Sequence, residues 1–238
     1  MDIVIAAAGK GTRLQQFTEE IPKHIIEIAD RPFIFYLLDA VVAANFRRII
    51  IVGGHHFEKL VRAIEDYETD SEIIVVNQFD KIGEDKYGTA CPLLAAEDII
   101  QGDRFLYTMG DHLLSVEDLE RMQMSTRDTL MATIEHDHPE RYGVVELEDN
   151  RVLRIIEKPK NPKSNSVNVG LYTLPSKIFR VVHNLKTSER GEYEITDAIN
   201  FLAKDEVVRA VPLKGYWLDL GRPEDISSLV HFINNKQS

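Results

Sequence analysis

A short, unbroken apolar run over residues 3–8 empties into a glycine-rich basic loop, Gly9-Lys10-Gly11-Thr12-Arg13. A strand without polar alternation has both faces covered, which argues for helices on either side of a sheet and so for an α/β fold. The loop is suited to phosphate. Gly9 and Gly11 let backbone N–H groups approach an anion with no Cβ in the way, and Lys10, Arg13 and Lys23 supply positive charge. An ordinary strand-to-helix turn is the plainer alternative. Two better-known phosphate loops do not fit. The dinucleotide fingerprint needs a small residue where Leu14 stands and an acidic residue at a second strand end, and neither Glu27 nor Asp30 lies at one. In the P-loop the lysine follows the second glycine, whereas Lys10 precedes it.

The string AAAGKGTRL (residues 6–14) followed by Pro22-Lys23 resembles the signature of the sugar-1-phosphate nucleotidyltransferases, of the glucose-1-phosphate uridylyl- or thymidylyltransferase type. The resemblance continues at Gly110-Asp111, ERYGVVELEDNRVLRIIEKP (140–159), NVGLY (168–172), GEYEITDAI (191–199) and GYWLDLGRPEDI (215–226). It runs in the family's order along nearly the whole chain. It implies an enzyme that joins a nucleoside triphosphate to a sugar-1-phosphate and releases pyrophosphate, with Mg²⁺ as cofactor.

Composition narrows the rest. With 28 basic against 39 acidic residues the net charge is −11, which argues against a general nucleic-acid surface and leaves anionic substrates to local cations. Cys91 is the only cysteine, so an internal disulfide or a cysteine-rich zinc site is excluded and a reducing, cytoplasmic setting is expected. No apolar run reaches the roughly 18 residues of a membrane span.

Strands are expected over 3–8, 48–53, 73–77 and 104–109, alternating with helices over 32–44, 57–67 and 90–99, the first half of a doubly wound, mostly parallel, Rossmann-like sheet. Strands over 129–135, 143–147, 152–157 and 167–174, separated by short turns, predict a small antiparallel extension. Helices over 176–183 and 195–203, a strand over 207–213 and a last helix over 224–235 complete the chain. We read it as one domain, 1–238, with a nucleotide-binding half (1–111), a sugar-phosphate-binding half (112–238) and no appended β-helical domain.

Open α/β sheets bind ligands beyond the carboxyl ends of their strands. The resemblance implies that Ala6, Ala7, Ala8, Gly9, Lys10, Gly11, Thr12, Arg13 and Lys23 hold the nucleotide together with Gln78, Gly88, Thr89, Gly110 and Asp111. Ten positions separate Gln78 from Gly88, more than relatives usually have, so residues 79–87 read as an inserted lid or loop. Asp111 and Asp219 correspond to the family's metal-binding aspartates, a hard-oxygen pair suited to Mg²⁺. Arg13 and Lys23 would stabilise charge on the triphosphate, and Lys158 would hold the sugar phosphate. Gly143, Glu157, Asn168 and Gly170 would complete the sugar site.

The histidines offer other readings. His136 and His138 alternate along a strand-like segment but lack companions for a tetrahedral zinc site. His24 and His112 lie beside proposed phosphate and metal ligands. UTP or dTTP is the favoured donor; guanylyl or cytidylyl transfer to mannose-, heptose- or another phosphorylated alcohol is the alternative. A non-catalytic nucleotide-sugar-binding paralogue would have lost Arg13, Lys23, Asp111 or Asp219, and a dinucleotide-dependent oxidoreductase would need the missing fingerprint. A homodimer follows from the resemblance alone.

Overall fold

The computed structural model describes residues 1–124 and 127–236. In chain order its elements are β1 (Asp2–Ala7), α1 (Gln15–Thr18), β2 (Glu27–Ile28), β3 (Arg31–Pro32), α2 (Phe33–Ala43), β4 (Arg48–Gly53), α3 (Phe57–Glu65), β5 (Glu72–Asn77), α4 (Gln78–Ile82), α5 (Cys91–Ala96), β6 (Arg104–Met109) and β7 (His112–Leu114). They continue as α6 (Val116–Gln123), β8 (Thr129–Glu135), β9 (Gly143–Glu148), β10 (Arg151–Glu157), β11 (Ser166–Pro175), α7 (Ile178–His183), α8 (Ile195–Asp205), β12 (Val208–Pro212), β13 (Trp217–Asp219) and α9 (Pro223–Lys236).

One nine-stranded sheet runs β5-β4-β1-β6-β11-β8-β12-β10-β9. Its first four strands are parallel, as the βα alternation predicts. The sheet as a whole is mixed rather than mostly parallel. From β11 onward only β12 and β8 run parallel, while β11 pairs antiparallel with both β6 and β8, and β9 and β10 form a hairpin. The short turns of the second half cannot carry parallel crossovers, so the strands they join reverse direction. β11 enters between β6 and β8, so the antiparallel part is built into the sheet rather than added at its edge.

The unbroken apolar run of β1 behaves as its composition demands. Val4 packs into one core with Ile50, Tyr107, Tyr172 and Leu93, while Ile3 and Ile5 pack on the opposite face with Ile49, Ile51, Leu37 and Leu38 of α2. A third, smaller core joins Leu14, Ile28, Phe33, Leu113, Leu220, Leu229 and Ile233. It anchors the two-stranded ribbon of β7 and β13, in which Asp219 lies opposite His112 and Trp217 opposite Leu114. These three-residue strands lie far apart in sequence and carry no hydrophobic period, so sequence reading missed them, together with α6.

Candidate active site

A cavity of about 350 Å³ opens beyond the carboxyl ends of β1 and β6, where the glycine-rich loop, the β7–β13 ribbon, the 78–92 segment and β9–β11 converge. The loop is braced rather than slack. Gly11 adopts a left-handed φ of 64°, its carbonyl accepts the Leu14 N–H at 2.8 Å and the Thr18 hydroxyl at 3.1 Å, and a Cβ there would meet Thr18 Cγ2 at 3.0 Å.

At the centre, Lys23 is ion-paired to Asp111. Burial alone would raise the Asp111 carboxyl, but the charge of the ion-paired Lys23 outweighs it and holds the group well below the usual carboxylate range. His112 approaches the other Asp111 oxygen at 3.6 Å. His24 is buried, and its Nδ1 has no hydrogen-bond partner among the described residues. Burial, with Lys23 adding to it, pushes His24 down to about 3, so the ring is neutral at physiological pH. Asp219 comes to the same place because the ribbon sets it opposite His112, and the Leu220 N–H donates to the Asp111 carbonyl at 2.8 Å. Burial raises the Asp219 carboxyl, and the negative charges of Asp111 and Asp225 reinforce the rise against His112. Two carboxylates that repel each other in a partly dry cleft form a site that a small hard cation would relieve.

At one end, Gln78 is buried as the first residue of α4, a helix capped by the Asn77 side chain, which accepts the Phe79 N–H at 3.0 Å. Its Nε2 donates to the Lys86 carbonyl at 3.4 Å, and its Oε1 has no partner among the described residues. Gly88 has a φ of 137° and lies so close to Tyr193 that an added Cβ would sit 2.3 Å from its carbonyl oxygen. The Thr89 carbonyl accepts the Tyr107 hydroxyl at 2.6 Å, and its Oγ1 accepts the Ile195 N–H at 2.9 Å. The 79–87 stretch, expected as a lid or loop, thus begins as helix.

At the other end the walls are side chains. Arg190 pairs with Glu157 at 3.3 Å, Glu192 at 3.1 Å and Glu194 at 3.0 Å, and Lys158 lies 3.4 Å from Glu157. Burial raises the Glu194 carboxyl, Glu157 raises it further, and Arg190 opposes both. Asn168 donates its amide to the Tyr172 hydroxyl and accepts the Gly170 N–H at 3.0 Å. Gly143 and Gly170 are tight positions, where a Cβ would meet Ile155 Cγ2 at 3.0 Å and Met109 Cγ at 2.8 Å respectively. An aromatic wall closes this end: Trp217 packs edge-on against Tyr142 at 5.1 Å and His112 at 5.4 Å, and Tyr142 against His136 at 4.8 Å. His136 therefore belongs to a ring cluster, and among the described residues no three His, Cys, Asp or Glu side chains assemble as a metal-holding group.

A family model described as nucleotidyl transferase matches residues 3–236. The chain belongs to the nucleotidyl transferase family. It is 36% identical over 98% of its length to the bifunctional protein GlmU of Methanococcus maripaludis, covering 55% of that protein, so it spans about half the length of such relatives. It is 33% identical to the UTP–glucose-1-phosphate uridylyltransferase AglF of Haloferax volcanii, covering 94% of this chain and 93% of AglF. A solved UDP-glucose pyrophosphorylase in complex with UDP-glucose shares the fold, with a TM-score of 0.86, 24% identity, and coverage of 99% of this chain and 98% of that one.

Of the residues singled out in this nucleotidyl transferase chain, Ala6, Ala8, Gly9, Gly11, Thr12, Arg13, Lys23, Gln78, Gly88, Thr89 and Asp111 line the glycine-loop end and centre of the cavity. Gly143, Glu157, Lys158, Asn168, Gly170 and Asp219 line the remainder. Ala7, Lys10 and Gly110 do not line it. The alternation of β1 turns Ala7 into the core beneath. Gly110 is a packing position, its N–H donating to the Ala6 carbonyl at 2.9 Å and its missing Cβ leaving room for His24. Lys10 is exposed and lies over the Tyr87 ring. Sequence reading missed Arg190, Glu194, Tyr142 and Trp217, all in the cavity wall. Arg190 directly precedes the GEYEITDAI motif and Trp217 lies within GYWLDLG, so motif membership was the available signal. No described helix is long and apolar enough to cross a membrane.

Proposed function

We propose that this chain transfers a nucleotidyl group from a nucleoside triphosphate, UTP or dTTP by preference, to a sugar-1-phosphate, releasing pyrophosphate. The observation that carries the reading is one cavity with a glycine-rich anion loop at one end, two basic side chains, Lys158 and Arg190, at the other, and the Asp111–Asp219 pair between them. The AglF relative, by its name, uses UTP and glucose-1-phosphate.

In this reading residues 1–111 supply most of the nucleotide contacts and residues 112–238 the sugar-phosphate contacts. Lys158 and Arg190 grip the sugar phosphate and aim one oxygen at the α-phosphorus, a bond forms there, and the bond to the departing pyrophosphate breaks in line with it. Arg13 and Lys23 stabilise the negative charge that accumulates on the triphosphate. The like-charged Asp111 and Asp219 carboxylates fit Mg²⁺, with the remaining ligands coming from substrate phosphate and water, and Mg²⁺ would neutralise phosphate charge. Gln78 is the candidate reader of the base: its Nε2 donates to the Lys86 carbonyl, and its open Oε1 can accept an N–H from a base edge.

The test is pyrophosphate release with Mg²⁺, from a grid of nucleoside triphosphates against glucose-, N-acetylglucosamine-, mannose- and heptose-1-phosphate. The expected result is one dominant pairing with uridine or thymidine triphosphate, reduced about a thousandfold or more by Asp111→Ala. A grid silent for folded protein, or turnover indifferent to Asp111→Ala, would overturn the reading.

A further inference from the structure

Lys10 lies on the phosphate loop yet takes no part in the cavity wall; its ammonium sits 5.4 Å from the centroid of the Tyr87 ring. Tyr87 does line the cavity, beside Gly88 and Thr89 at the end where Gln78 offers its open oxygen. The main chain under Tyr87 is pinned. Its carbonyl accepts the Tyr193 N–H at 2.9 Å, the Ala90 N–H returns to the Tyr193 carbonyl at 2.8 Å, and Gly88 presses against the Tyr193 backbone. The ring therefore stands on a fixed stem while Lys10 rides on a long, flexible one, and the two meet where Tyr87 borders the cavity.

We propose that Tyr87 is a stacking platform for the nucleoside, covered by Lys10 in the empty site and uncovered when a triphosphate draws the ammonium onto its phosphates. The inference rests on the nucleotidyltransferase reading and names a specificity-determining residue for it. A cation over a partly exposed tyrosine ring is held weakly, and a polyphosphate in the adjacent glycine-rich loop is the stronger attractor. Once free, the ring face can take a base, because every base has a π-face to offer. The consequence is coupling. A triphosphate removes the cover with its own charge, whereas a monophosphate must displace Lys10 with less compensation, so the site discriminates substrate from the corresponding monophosphate.

The experiment measures dissociation constants of UTP and UMP by calorimetry on the full chain with Mg²⁺, for wild type, Tyr87→Phe, Tyr87→Leu and Lys10→Met, after thermal melts establish that each is folded. Tyr87→Leu is expected to weaken both ligands by roughly tenfold or more, and Tyr87→Phe to retain both. Lys10→Met is expected to weaken UTP while leaving UMP unchanged or tighter, because the platform is then uncovered in advance. Unchanged affinities in Tyr87→Leu, or equal weakening of UTP and UMP in Lys10→Met, would overturn the inference and leave the enzymatic reading intact. Wild-type protein that binds no triphosphate would overturn that reading itself.

Discussion

The two ends of the cavity solve the problem of holding an anion in opposite ways. The glycine-loop end presents main chain and two cations, Arg13 and Lys10, that no carboxylate among the described residues pairs with, whereas Lys23 at the centre is already ion-paired to Asp111. The opposite end is made of side chains already neutralised, with Arg190 held by Glu157, Glu192 and Glu194, and Lys158 by Glu157. A ligand arriving at the first end finds unshielded charge. At the second it must take over contacts that carboxylates already make, so that end exchanges partners and gains selectivity from the exchange.

The strongest way to break this contrast is to remove the shared cation. On the proposed function, Arg190→Ala is expected to raise the KM for the sugar phosphate about a hundredfold, since a charged contact to the phosphate is lost and three carboxylates are left facing the substrate. The KM for the nucleoside triphosphate should hardly move. Steady-state kinetics with each substrate varied in turn would check it, and an equal rise in both constants would mean that the two ends are not separable. Arg190→Lys should recover only part of the loss, because a point charge cannot span the same acceptors.

A smaller effect tests the join between the ends. Gly88 lies at the Gln78 end but abuts Tyr193 of the 190–194 stretch, and a Cβ there would sit 2.3 Å from the Tyr193 carbonyl oxygen and 2.4 Å from its nitrogen, at a φ of 137°. Gly88→Ala is therefore expected to destabilise the fold by about 2–3 kcal/mol and to weaken both substrates. Gly191→Ala, at a φ of 75° with nothing within 4 Å, should show only the backbone strain of about 1 kcal/mol. Denaturant titration of the pair would separate collision from conformational strain.

The same contrast explains what the sequence reveals. A backbone-made site needs particular glycines at particular spacings, so the loop at Gly9 and Gly11 and the unbroken run of β1 are legible directly. The opposite end needs only charge and shape, which the fold supplies from β9–β11 and the 190–194 stretch, so Arg190 looks like any other surface arginine until its three carboxylates are placed. The β7–β13 ribbon is harder still. Asp111 and Asp219 are each recognisable inside a motif, but what unites them is three residues of pairing per strand and a small core through Leu113 and Leu220, and neither leaves a periodic trace.

The least effect, and the one that sharpens the comparison most at the centre, concerns Asp219. An acid whose folded pKa lies above its unfolded one keeps a proton in the folded state that the unfolded chain has already released. Stability therefore rises as pH falls through the folded value, and at neutral pH the ionised group is a cost to the fold. Asp219→Asn, in protein kept free of divalent cations, should then raise Tm slightly at pH 7, by less than about 1 kcal/mol of stability, with the gain vanishing as the pH is lowered through that window. Asp111 has the opposite sign, because Lys23 holds its carboxyl down, so Asp111→Asn should destabilise at neutral pH and progressively less in acid. If both substitutions destabilise at pH 7, Asp219 is a structural hydrogen-bond acceptor rather than a carboxylate kept ionised for a cation. If they diverge as expected while both abolish pyrophosphate release, the centre of the cavity holds one carboxylate satisfied by the protein and one left for the ligand.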